Sequence, residues 1–216
     1  MNNLINIEKT ANYIHTKIEE LILVANDSKN ILCIEALQEL QFLRTNKSEE
    51  CILENLNNKD PLICSTCLEI VGDWKLKRAL EQVYQLAMSK KIFIRSEAII
   101  TLGLFSRKED KDFLLKKLKK EKNESVKNSI YLALICIGED KYYPHFLSGF
   151  FNKDYHIRCS TANLVDYLLS NENKEEIRKI VLFAFQNENL RSVKATLHDL
   201  LERIDRNFLK KGDSLK

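Results

Sequence analysis

One spaced pattern returns five times along the chain, and it constrains the fold more than any other feature. Counting from Ile94 as position zero, an apolar residue stands at zero, a small or apolar one at +4, and apolar ones at +8 and +11: Ile94, Ala98, Leu102 and Phe105. The template also fits Leu32, Ala36, Leu40 and Leu43; Ile63, Cys67, Val71 and Trp74; Val126, Ile130, Leu134 and Ile137; and Ile157, Thr161, Val165 and Leu168. The anchors at 32, 63, 94, 126 and 157 lie 31, 31, 32 and 31 residues apart, and a looser sixth copy starts near Asn189 with Val193, Leu197 and Leu200. Such spacings put one apolar stripe on a helix, and a fixed period marks a stacked array.

Each copy reads as a helical hairpin, an A helix followed by a B helix that carries the template. The first helix spans about 4–26 and the second about 29–44; later A helices span about 48–58, 75–89, 108–121, 140–151 and 173–187. Asp60, Asn123 and Asp154 each stand three residues before an anchor, where a side-chain oxygen can cap the B helix, and Pro61 suits its first turn. Pro144 fits only near the start of its A helix, so Tyr142 and Tyr143 precede or open it. Five glycines and two prolines leave little turn chemistry for strands. The expectation is an all-α fold, a right-handed α-solenoid of about six hairpins forming one domain over residues 1–206, with a flexible tail over 207–216.

The net charge of +3 argues neither for a nucleic-acid binder nor for a polybasic membrane protein. No bilayer-spanning run and no secretory leader are visible, so the chain is expected in the cytoplasm as a monomer without a membrane partner. Its six cysteines sit mostly at packing positions and read as reduced, buried thiols. Cys64 and Cys67 are a spaced pair, but no second pair completes a zinc site. The histidines, His15, His145, His156 and His198, fall in different repeats. Phosphate loops, paired-histidine metal helices and nucleophile elbows are missing, so no enzyme, metal or cofactor is expected.

Ile94, Arg95, Ala98, Leu102 and Gly103 make the chain resemble the short HEAT-like repeats of the phycobilisome-lyase type. Val126, Lys127, Ala133, Leu134 and Gly138 follow the pattern with lysine for arginine, and Ile157 with Arg158 adds a partial copy. The resemblance covers about residues 29–206; Cys64, Cys67 and Asp166 depart from it. It implies that Arg95 and Arg158 brace helices, and that B helices line a concave side through positions +2, +3 and +6. Those rows are Ile34, Glu35, Gln38; Ser65, Thr66, Glu69; Ser96, Glu97, Ile100; Asn128, Ser129, Leu132; and Cys159, Ser160, Asn163.

None of these is a cation, and Asp73 and Asp166 add negative charge at repeat edges. The cations Lys75, Lys77, Arg78, Lys108, Lys111, Lys116, Lys117, Lys119, Lys120 and Lys122 fall on A helices and joints, where they read as a solvated face. The expected function is therefore a non-enzymatic module that binds a basic protein through Glu35, Gln38, Glu69, Asp73, Glu97, Ile100, Asn128, Leu132 and Asn163. Small bacterial proteins of this resemblance include immunity proteins that block a toxin. The same resemblance also implies two alternatives, a DNA glycosylase of the alkylpurine type, with Trp74 and Asp73 as its nucleus, and a lyase or assembly subunit for a cofactor-bearing protein.

Overall fold

The computed structural model describes the backbone of residues 2–212 and the side chains of residues 13–206. Within them every regular element is helical. The chain forms two compact units, Met1–Phe105 and Ser106–Lys216. The first contains α1 (Asn2–Ala25), α2 (Cys33–Phe42), α3 (Asn46–Asn55), α4 (Pro61–Trp74), α5 (Leu80–Ala87) and α6 (Ile92–Leu104). The second contains α7 (Lys111–Lys120), α8 (Glu124–Cys136), α9 (Tyr143–Leu147), α10 (Tyr155–Leu164), α11 (Lys174–Asn187) and α12 (Arg191–Gly212). Residues 213–216 and the side chains of 207–212, where the tail was expected, lie outside the described residues.

In the first unit α2 packs on α4 and α4 on α6, while α1, α3 and α5 pack on these B helices; in the second, α8 packs on α10 and α10 on α12. The template explains why. Ala36, Leu40, Ile63, Cys67, Val71, Ile94, Ala98, Leu102 and Phe105 are buried in one unit, and Val126, Ile130, Leu134, Ile137, Ile157, Thr161 and Val165 in the other. Leu32 departs from it and is exposed, because α2 begins one residue later. Cys33 takes the buried place and its thiol donates to the Ala25 carbonyl at 3.1 Å.

The caps stand where the sequence places them. Asp60 accepts from the Leu62 N–H at 2.8 Å, Asn123 from Val126 at 3.1 Å and Asp154 from His156 at 3.0 Å. In four of the five copies the position after the anchor ties a B helix back to the end of the preceding A helix or the joint after it, by an arginine or by a thiol; in the fifth, Lys127 pairs with Glu124 of its own helix. Arg95 Nη1 donates to the Ser89 carbonyl at 2.6 Å and Arg158 Nη1 to the Asn152 carbonyl at 2.7 Å, so both arginines brace helices. Cys33 and Cys64 occupy the same register and donate a thiol instead, Cys64 to Leu56 at 3.0 Å. Several A helices open with a 3₁₀ turn, and α9 is only five residues long, lying between Asp140–Tyr142 and Ser148–Phe151. Tyr143 opens it, with Pro144 in the first turn, where a missing N–H costs nothing.

Candidate functional site

Three of the expected carboxylates, Glu69 and Glu97 of the inner rows and Asp73 of a repeat edge, stand on two neighbouring B helices of the first unit. Glu69 and Asp73 stand one turn apart on α4, and Glu97 stands on α6, which packs against α4. Gln41, at the end of α2, donates from Nε2 to Asp73 Oδ2 at 2.7 Å and extends the strip to a third helix. Trp74 Nε1 in turn donates to the Gln41 carbonyl at 3.2 Å, and the Arg44 guanidinium lies 5.1 Å from the Trp74 ring centroid. Trp74 is thus occupied in joining α2 to α4.

Burial sets the electrostatics of the strip. It pushes the Glu97 carboxyl up to about 7, with a further contribution from the charge of Glu69. Glu69 is raised in the same order, first by burial and then by Asp73. Among the described residues none of the three carboxylates belongs to an ion pair. The strip therefore joins a half-buried Glu97 to the exposed Glu69 and Asp73, and among the described residues none of them has a counter-charge.

The other predicted residues divide. Glu35 and Gln38 are exposed on α2, and Asn163 is exposed on α10. Ile100, Asn128 and Leu132, which the sequence assigns to the concave partner-binding face, are instead buried, at 6%, 4% and 1% exposed. Asn128 is a core bond, donating from Nδ2 to Thr161 Oγ1 at 3.0 Å between α8 and α10, while Thr161 Oγ1 donates to the Ile157 carbonyl at 2.8 Å. Ser96 and Ser129 of the same rows are also buried. A strict +2, +3, +6 reading mistakes helix-to-helix contacts for groove lining, because packed B helices bury part of that face. Gln41 was missed because it stands at +9, one turn beyond the rows considered.

A polar cluster in the second unit is paired within the fold. A cleft in the second unit is lined by Phe151, Asn152, Arg158, Asn187, Glu188 and Asn189 among others. Arg158 holds Glu188 through Nε at 2.6 Å and Nη2 at 3.1 Å, and this contact first, then backbone N–H groups of Leu190 and Asn189, holds Glu188 below the usual carboxylate range. Burial pushes the Cys51 and Cys64 thiols up to about 11, so they stay protonated at neutral pH. No helix among the described residues is long and apolar enough to cross a membrane. No protein-family model matches the chain, and no curated protein shows significant similarity to it.

Proposed function

We propose that the chain is a non-enzymatic protein-binding module, built as a HEAT-like α-solenoid, whose acidic strip of Glu69, Asp73 and Glu97 holds a basic protein. The observation that supports this is the absence of any counter-ion beside those carboxylates among the described residues. A partner's lysine or arginine would relieve the mutual repulsion of Glu69 and Asp73 and the burial of Glu97 together, which gives the site both affinity and charge specificity. The narrower form of the proposal is a cytoplasmic immunity protein that neutralises a cationic toxin.

The test is capture from nuclease-treated lysate, followed by affinity measurement on the purified complex. Glu69→Lys with Asp73→Lys should weaken binding by at least about tenfold, and raising salt should weaken the wild-type complex in parallel. Unchanged affinity in the double variant would reject the strip as the site. Material lost on nuclease treatment would point instead to the exposed lysines of α7.

A further inference from the structure

The three connections that enter α2, α4 and α6 share a pattern that the acidic strip does not use. Each carries lysine followed by large apolar residues: Lys29 then Ile31 and Leu32, Lys59 then Leu62, and Lys90 with Lys91 then Ile92 and Phe93. Ile31, Leu62 and Phe93 stand at one repeat position, immediately before the anchor, and they are 89%, 57% and 45% exposed. Their helices pack side by side, and Lys91 Nζ donates to the Lys59 carbonyl at 3.4 Å, so adjacent helix starts form one edge. Asp60 caps α4, but neither α2 nor α6 has a side-chain cap, which leaves first-turn N–H groups of these two without a capping side chain. In the second unit the same position holds Ser125 and His156, behind the capping side chains of Asn123 and Asp154. The apolar row thus belongs to the first unit and is not a requirement of the repeat.

We infer that this edge docks on an anionic lipid surface. Ile31, Leu62 and Phe93 enter the boundary between headgroups and acyl chains, while Lys59, Lys90, Lys91 and the uncapped starts of α2 and α6 meet headgroup phosphates. Apolar tips at one register position on successive helices suit a plane, and lysines among them suit its negative charge. A second copy of the chain would set these lysines against one another. Docking of this kind needs no spanning helix, and it stands independently of the protein-binding reading.

Co-sedimentation of the full chain with phosphatidylcholine vesicles, with and without phosphatidylserine at about a third of the lipid, tests the proposal. Binding should require phosphatidylserine and fall with added salt. Leu62→Ser with Phe93→Ser should lower the bound fraction by at least about tenfold, as should Lys59→Gln with Lys90→Gln and Lys91→Gln. These side chains are exposed, so an unchanged thermal melt separates lost docking from lost folding. Absence of phosphatidylserine-dependent binding would overturn the inference. So would binding that both variants retain, a lipid-free dimer dissolved by the same substitutions, or a protein ligand that requires the edge while vesicles do not bind.

Discussion

Twelve residues past the anchor, the backbone turns left-handed in three copies, at Lys75 with φ of 49°, Ser106 with 54° and Gly138 with 96°. Only glycine takes this region without strain, so Lys75→Gly should stabilise the protein by up to about 1 kcal/mol, read as a shift in the denaturant midpoint. Glu188 presents the opposite case. Glu188→Gln leaves the mostly buried Arg158 guanidinium without its carboxylate and should cost about 3 kcal/mol by the same measurement. The titration of Glu97 has a definite sign. Its carboxyl ionises near 7 in the fold and near its ordinary 4.5 when unfolded, so the fold keeps the proton longer across that window. Stability contributed by Glu97 is full below the window, declines as pH rises from 4.5 to 7, and is level above it. Glu97→Gln should flatten that slope and raise stability at pH 8 by as much as about 3 kcal/mol, measured by melts across pH. If a partner's cation sits beside Glu97, raising the pH from 6 to 8 should strengthen wild-type binding by about tenfold, and Glu97→Gln should abolish that dependence.

Between elements, Gly149 fits closely against α8 and α10. A Cβ at Gly149 would collide with Thr161 Oγ1 and lie 3.1 Å from Asn128 Oδ1, so the helix pair bound by these side chains leaves no room for one. Gly149→Ala should therefore cost about 3 kcal/mol, and Thr161→Ala in the same chain should recover part of it, which a double-mutant cycle would detect. The apolar stripe itself gives an ordinary core test. Leu102, fully buried on α6, should cost about 2 to 5 kcal/mol when cut to alanine. These contacts also mark where the sequence stopped being readable. Asn128 occupies a row position shared with Glu97's neighbour Ser96, and nothing in its type or spacing distinguishes a groove residue from one that bonds Thr161 across the helix pair. Leu32 satisfied the apolar template and is exposed, since the start of α2 depends on the turn formed with Asn30 rather than on hydrophobicity.

At the scale of the molecule, the sequence by itself determined an all-helical chain, the places of its B helices, three of their caps and most of the buried stripe. These follow from local rules: the helical period selects the face, a short polar side chain satisfies free N–H groups, and scarce glycine and proline disfavour strands. It also placed carboxylates without cations along the inner rows, because residue type and repeat position are both linear information. Tertiary structure alone decided which row members are exposed, since burial of Ile100, Asn128 and Leu132 depends on neighbours brought close by packing. It decided as well that Glu69, Asp73, Glu97 and Gln41 share one strip, and that Glu97 holds its proton to about 7, because desolvation and the charge of Glu69 act through space. The basic and apolar edge at the starts of α2, α4 and α6 was written in the sequence, but only exposure separated it from the core, since the hydrophobic effect fixes how much apolar surface is buried and packing geometry fixes which residues supply it.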